Sequence, residues 1–507
     1  MRRKLSTSIA LIAGVLVMIW AVPAVSDADS GWLKEQPVRG CVVDVENLDP
    51  GSASPGVKAP SDGPPPELGG PVQAQTVVVD PGLEFNLVGA VGRRDQASGQ
   101  GDPQVAFRTS SDGETWSDWM IMSLAPAPGD VSAQELMAEP FWVGHGRYMQ
   151  FTTSGPVRDL KLSFVNSLGE NTVADRITGV FKTVGATIAR IGHTGSAVAQ
   201  TSKPAIVTRS KWGADESLRR ADPDFAPVKM AFVHHTVSGN NYSRSEAPAV
   251  VRAIYYYHVR GVGFNDLGYN FLIDRYGTIY EGRYGGVTAG VIGAQTFGFN
   301  TGSTGVALMG SFDSSSPPAA SLAALKKLLA WKLDVHHVKP TSSARMTCRA
   351  DEKYKAGQTV VLPAISGHRN ANYTACPGAA LYAKLPGIRI SAANIGLPKI
   401  YSPTTSAALI SPDGDGHEDA TTIRFSASEK VNWQMRIAAS DGTLVRSFSG
   451  LGTAPARVWN GKDGSGAVVP DGSYTVKVTA NSSRGTARAA LLDVAVDTEP
   501  PRIEDLV

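Results

Sequence analysis

The chain has 507 residues, 19% of them charged and 42% hydrophobic, and a formal net charge of +2. That length exceeds one ordinary domain and points to about three. The composition excludes wholesale disorder, and the balanced charge excludes a nucleic-acid binder that works through a basic face.

Residues 1–26, MRRKLSTSIALIAGVLVMIWAVPAVS, carry Arg2, Arg3 and Lys4, then an apolar stretch, then small residues around 24–26. This is the pattern of a secretory signal peptide, and it predicts an exported protein with no membrane association after cleavage. An uncleaved anchor is the alternative, because residues 9–25 approach spanning length. Three cysteines occur, Cys41, Cys348 and Cys376. An odd number in an exported chain means that at least one is unpaired or used otherwise, for instance to hold a metal. Pairing of Cys41 with Cys348 stays open.

Residues 27–76 form a Pro/Gly-rich N-terminal segment, in which 50–75 are read as a linker or loose connection. Over 77–168, runs such as TVVVD, FNLVGAV, QVAFRTS, YMQFTTS and DLKLSFV alternate with turn signals such as SSDGE. They predict a β-sandwich. Trp116, Trp119 and Trp142 are read there as packing aromatics, with a carbohydrate-stacking platform as the alternative. Residues 169–203 are small and polar, a linker.

Residues 204–395 mix both hydrophobic periods. KMAFVHH (229–235) reads as a strand, YNFLIDRYGTIYEG (269–282) as a hairpin and TGVALMGSF (304–312) as a buried strand. SEAPAVVRAIYYYHVRG (245–261) reads as a helix, with Ser245 as N-cap and Gly261 past its end. ASLAALKKLLAWKLDVHH (320–337) is an amphipathic helix with Leu322, Leu325, Leu329 and Leu333 on one side. The expected class is multidomain: an α/β domain, its mixed central sheet flanked by helices, between the N-terminal β-sandwich and a C-terminal Ig-like β-sandwich over 396–492. Residues 493–507 read as a tail or the start of a further module.

The chemistry sits in two separated stretches, MAFVHHTVSGN (230–240) and SGHRNANYTACPG (366–378). Two imidazoles and a thiolate suit a catalytic zinc, which takes three protein ligands and keeps its fourth position for water. Periodicity does not choose between His234 and His235.

Six motifs in order, WGA (212–214), FVHHT (232–236), GYNFLID (268–274), GTIYEGR (277–283), GAQTFGFNTGSTGVALMG (293–310) and GHR…TACPG (367–378), make residues 204–390 resemble a known family. It is that of the peptidoglycan recognition proteins and the related phage lysozymes, the type 2 N-acetylmuramoyl-L-alanine amidases. The resemblance implies Zn2+ held by His234, His368 and Cys376, with His235 turned away as a packing residue. It implies Tyr269 as the catalytic tyrosine, and Thr374 as a residue that adds a second hydrogen bond to the reacting centre. The implied reaction is hydrolysis of the amide between N-acetylmuramic acid and L-alanine. The implied partner is peptidoglycan, glycan strand and stem peptide together, and the expected location is outside a bacterial cell in association with a cell wall, its own or another's. Loss of the cysteine marks binding-only members, so Cys376 favours turnover. A non-catalytic recognition protein and a zinc peptidase acting within the stem peptide are the rival readings. Many relatives carry histidine where this chain has Gln295, and altered substrate contacts are expected there.

SPDGDGHEDATT (411–422) and residues 456–478 resemble Ig-like repeats of the flagellar hook-capping type. Asp413, Asp415 and Asp419 open a calcium-loop pattern that lacks the distal bidentate Glu. Weak calcium binding at most is expected. His258, His336 and His337 are read as structural.

Overall fold

The computed structural model describes residues 38–45, 68, 77–94, 103–127, 135–154, 157–168 and 201–499. The expected signal segment, nearly all of the 169–203 linker and the last eight residues lie outside them.

Two antiparallel sheets build the N-terminal β-rich region. One runs in the order Arg39–Asp44, Val157–Asn166, Phe85–Arg94, Glu135–Met137, Ala125–Pro126, with Phe141–Gly146 also paired to Phe85–Arg94. The other runs Val77–Val79, Tyr148–Ser154, Gln104–Ser110, Met120–Ser123. Side chains from both, among them Val88, Phe107, Met122, Phe151 and Phe164, bury a common core. The strand Arg39–Asp44 lies in the N-terminal segment, ahead of the 50–75 stretch read as a linker. It pairs with Val157–Asn166 along its whole length, and its neighbourhood of Pro and Gly hid it. Trp142 is buried. Trp116 and Trp119 flank Arg108, whose guanidinium carbon lies 5.7 and 4.9 Å from their ring centroids.

The middle region is built on one six-stranded sheet, ordered Ile206–Val207, Ile279–Glu281, Phe271–Ile273, Ser303–Leu308, Met230–His235, Ile365–Gly367. Only the hairpin pair Phe271–Ile273 and Ile279–Glu281 is antiparallel; the other pairs are parallel. The two central strands, Ser303–Leu308 and Met230–His235, are buried along their full length, as strands covered on both faces must be. The helix Ala319–Val335 covers one face, setting Leu325, Leu329 and Leu333 against Val233, Ile273 and Val306. The helix Ala247–Tyr256 covers the other, setting Val250 and Ile254 with Tyr269, Leu272 and Ala307.

Both expected ends of that second helix move. The N-cap is Glu246, not Ser245. Glu246 Oε2 accepts from the Ser243 N–H at 2.7 Å while Ser243 Oγ accepts from the Glu246 N–H at 3.3 Å, a reciprocal pair in which Ser243 caps the turn that leads into the helix. Nor does the helix stop at Gly261. It widens into a π turn over Tyr257–Val262, ended by Gly263 at φ 94°.

The C-terminal β-rich region pairs Ile400–Thr405, Thr421–Ala427 and Ala456–Trp459 in one sheet, and Leu409–Ile410, Ala490–Val496, Gly472–Ser482, Val431–Ala439 and Leu444–Gly452 in another. Trp433, Trp459 and Val476 fill its core. Residues 493–496 therefore belong to a sheet and not to a tail. The region is tied to the middle one. The Ser402 N–H donates to His337 O at 2.9 Å, Thr201 Oγ1 donates to Gly396 O at 3.1 Å, and Lys399 Nζ donates to Ala392 O at 3.0 Å. Arg488 lies 3.5 Å from the buried Asp334 carboxylate. In the acidic loop, the carboxylates of Asp415 and Asp419 accept turn N–H groups from His417, Gly414 and Gly416. All three cysteines are free, so Cys41 and Cys348 do not pair.

Candidate metal centre

Side chains alternate along a strand, and Met230–His235 uses this to separate its two histidines. His234 is fully buried, on the face of Ala307 and Leu272. His235 points to the other face, where its Nδ1 accepts from the Phe312 N–H at 3.2 Å. The strand Ile365–Gly367 lies parallel to this one, with Gly367 beside Val233. His368 follows at once and comes level with His234, their ring centroids 4.7 Å apart.

Cys376 returns on the next loop. Its N–H donates to Thr374 Oγ1 at 3.2 Å, and its carbonyl accepts from the Arg369 N–H at 2.9 Å. Gly378 at φ 86° closes the turn, and a Cβ there would sit 2.3 Å from the Phe312 backbone, so only glycine fits.

One donor atom from each of His234, His368 and Cys376 lies within 4.8 Å of the others, and Cys376 Sγ is 3.6 Å from His234 Nδ1. His368 Nδ1 is buried and has no hydrogen-bond partner among the described residues. Burial, with His368 close by, holds His234 well below the usual imidazole range, and burial brings His368 down to about 4. Both rings are therefore neutral at pH 7, with lone pairs free. Burial first and the Glu139 charge second push the Cys376 thiol well up. Two neutral imidazoles and a buried thiol make a donor set that fits a divalent soft or borderline metal.

Gln295 fixes which nitrogen of His234 is turned to this cluster. Ser303 Oγ lies 2.8 Å from Phe299 O and gives its proton there, so it accepts from Gln295 Nε2 at 3.0 Å. The amide oxygen Oε1 then faces His234 Nε2 at 2.7 Å and must accept from an N–H. The proton sits on Nε2, and Nδ1 carries the lone pair. Gly305 leaves the room: a Cβ there would meet Gln295 Cγ at 2.4 Å. Gln295, expected to alter substrate contacts, also touches His234 itself.

Tyr269 stands just ahead of the hairpin, its ring centroid 5.3 Å from that of His234. Its hydroxyl donates to Glu139 Oε1 at 2.7 Å. Glu139 comes from the N-terminal β-rich region, between the strands Glu135–Met137 and Phe141–Gly146. Its Oε2 is buried without a partner among the described residues, and burial pushes its carboxyl up to about 7. Burial, followed by the Glu139 charge, pushes the Tyr269 phenol well above its usual value. Thr374 is half-buried, and its oxygen is used to hold the Cys376 N–H.

The fold thus brings together all five residues expected from sequence. It adds two that sequence reasoning missed, Glu139 as a neighbour of Tyr269 and Gln295 as the partner of His234. No local pattern marks Glu139, which lies 130 residues before Tyr269.

The N-acetylmuramoyl-L-alanine amidase family matches residues 224–379, and the FlgD Ig-like domain matches residues 410–484. Peptidoglycan-recognition protein SA of Drosophila melanogaster is 35% identical over 127 residues, which are 25% of this chain and 60% of that protein. The chain therefore spans about three-fifths of the length of that relative. Peptidoglycan recognition protein 1 of Bos taurus is 33% identical over 188 residues, covering 35% of this chain and 80% of that protein. Among solved structures, peptidoglycan recognition protein-LE in complex with tracheal cytotoxin, a monomeric diaminopimelic acid-type peptidoglycan, is 27% identical. It covers 36% of this chain and 94% of its own, with a TM-score of 0.30.

Proposed function

Because the chain belongs to the family of the peptidoglycan-recognition proteins and N-acetylmuramoyl-L-alanine amidases, we propose that it is an exported zinc-dependent amidase. Its reaction is hydrolysis of the amide between N-acetylmuramic acid and L-alanine in peptidoglycan. The observation that carries this reading is the convergence of two neutral imidazoles and a thiol beside a buried tyrosine.

An amide is a poor electrophile and water a poor nucleophile. A zinc ion bound by His234 Nδ1, His368 and Cys376 supplies a Lewis acid and a water of lowered pKa. The chain's own groups do the rest. Gln295 keeps the His234 proton on Nε2, so that Nδ1 stays a donor in one fixed orientation. Thr374 holds the Cys376 loop through the backbone N–H. The Tyr269 hydroxyl, next to His234, is the polar group poised at the scissile amide. Burial of these side chains lowers the local dielectric, which strengthens each hydrogen bond made there. The C-terminal Ig-like region serves as a spacer or wall attachment outside the cell.

The test is digestion of purified peptidoglycan by the mature protein and by Cys376→Ala, with mass spectrometry of the soluble products. Stem peptides that begin at L-alanine, released by the wild type alone, are the expected result. No release by the zinc-loaded wild type, with wall binding intact, would replace the amidase by a recognition protein. Cleavage inside the stem peptide would replace it by a peptidase.

A further inference from the structure

We propose that the N-terminal β-rich region completes the amidase site: it supplies Glu139 as a positioning residue that orients the Tyr269 hydroxyl. The inference rests on the amidase reading above and goes beyond it, because Glu139 lies outside both the matched family segment and the three metal donors.

The geometry is direct. The Tyr269 hydroxyl has a single proton and donates it to Glu139 Oε1 at 2.7 Å. Above about pH 7, where Glu139 is ionised, a carboxylate that accepts from a hydroxyl is among the stronger neutral-to-charged contacts, and it fixes a rotor that is otherwise free. With its proton committed to Glu139, Tyr269 offers an acceptor oxygen to whatever stands on its other side. That suits holding the attacking water by one of its protons. It does not suit donation to an oxyanion.

The placement of Glu139 is built, not incidental. The Tyr257 hydroxyl reaches Ala138 O at 2.8 Å and Ala90 O at 2.9 Å, and Ala138 is the residue before Glu139. The Ala138 N–H donates to the same Ala90 carbonyl at 2.8 Å. The two regions approach so closely that glycine is required on both sides. A Cβ at Gly89 would stand 2.1 Å from the Tyr257 ring, one at Gly40 2.6 Å from the Tyr256 ring, and one at Gly239 2.6 Å from Trp142 O. Real Cβ atoms do not approach so near, so the contact is shaped for these rings and this carbonyl. The second carboxylate oxygen, Oε2, is buried with no partner among the described residues. Leaving it so costs free energy, and a carboxylate kept at that cost next to Tyr269 points to use.

The experiment compares the full mature protein with Glu139→Gln, Glu139→Ala, Glu139→Asp, Tyr269→Phe and the Glu139→Ala, Tyr269→Phe double variant on soluble peptidoglycan fragments. Glu139→Ala is expected to lower kcat by about 10- to 100-fold, the range for losing a hydrogen bond to a charged group. KM and bound zinc stay within about twofold, and formate restores part of the rate. In the Tyr269→Phe background, removal of Glu139 has little further effect, because it acts through that hydroxyl. In metal-free protein, the carboxylate band in the infrared difference spectrum, wild type minus Glu139→Gln, shifts when Tyr269 becomes Phe. Glu139→Gln keeps the shape and guards against a folding artefact.

An active wild type with unchanged kcat in Glu139→Ala and Glu139→Gln overturns this inference and leaves the amidase reading standing. So does a rise in kcat, which would make the carboxylate a plug. An equal loss in the Tyr269→Phe background, or an infrared band that does not move, also overturns it. A wild type that releases no stem peptide overturns the amidase reading, and this inference with it.

Discussion

Tyr257 and His258 are neighbours in the chain, and each holds the residue just before one member of the Glu139–Tyr269 pair. Tyr257 reaches the carbonyl of Ala138 at 2.8 Å, and His258 Nδ1 accepts from the Gly268 N–H at 3.0 Å. The His258 ring also packs on Tyr269, centroid to centroid at 5.6 Å. Both residues lie at the start of the π turn, a local widening found often at functional sites. One dipeptide thus acts as a jig that sets the carboxylate and the phenol at a fixed distance.

Gly89→Ala tests the jig. The added methyl meets the buried Tyr257 ring at 2.1 Å, and neither side has room to yield. A loss of about 1–3 kcal/mol is expected, the usual range for overpacking, together with a lowered kcat. Gly387→Ala is the control, since nothing lies within 4 Å of its Cβ and it sits inside the helix Leu385–Asn394. Urea unfolding of both variants would decide it: equal stability of the two would mean that the contact is slack.

Glu139 also predicts a pH dependence. Its carboxyl holds a proton up to about 7 in the folded protein and only to about 4.3 when unfolded. Between these values the folded state binds the extra proton. The stability this group contributes is therefore full below about pH 4.3 and is lost as pH rises through about 7. Metal-free wild type should lose up to about 1.4 kcal/mol per pH unit near pH 6 relative to Glu139→Gln. Denaturant titrations at pH 5, 6, 7 and 8 measure the difference. Parallel curves for the two proteins would show that the carboxyl is not held neutral.

Gln295→Ala removes the acceptor for the His234 Nε2–H. Thr296 Oγ1, 3.5 Å away, is the next acceptor, so the loss is partial. Zinc affinity is expected to fall about 10- to 100-fold, as when other outer partners of a metal-bound histidine are lost, in a competition titration against a chromophoric chelator. Zinc binding to the wild type near pH 7 should release about one proton per ion. Among the three donors the imidazoles are already neutral and only the raised Cys376 thiol has a proton to lose; Glu139, whose carboxyl is pushed up to about 7, is taken out of the count by repeating it in Glu139→Gln. Calorimetry in buffers of different ionisation enthalpy counts it. A count near zero in Glu139→Gln would mean that the thiol is already ionised.

What the sequence revealed and what it withheld divide along physical lines. His234, His368, Cys376 and Tyr269 lie in short motifs that carry the family resemblance; strand alternation separates His234 from His235, but only the resemblance chose between them. Those were legible. Gln295 acts across 61 residues through a single side-chain bond, and its task depends on Ser303 and Gly305 on a neighbouring strand. Glu139 depends on how two regions dock, which no periodicity encodes. The cap at Glu246 was missed for a smaller reason. Two serines and a glutamate crowd the helix start, and the reciprocal bond ties Ser243, not Ser245, to Glu246. The strand Arg39–Asp44, RGCVVD, shows no apolar/polar alternation, and its pairing partner comes more than a hundred residues later.

The ties between the middle and C-terminal regions carry a mechanical meaning. Ser402, Lys399, Thr201 and Arg488 bridge to the end of the helix Ala319–Val335 and to the chain beside it. Hinges are made of exposed residues with few bonds, and this junction has a buried carboxylate and a buried ammonium at its heart. It behaves as a weld. Any load taken up by the C-terminal region is passed straight to the sheet that bears His234. If that region grips the wall, the reactive centre is presented to the polymer at one angle and one height, as a blade is by its handle.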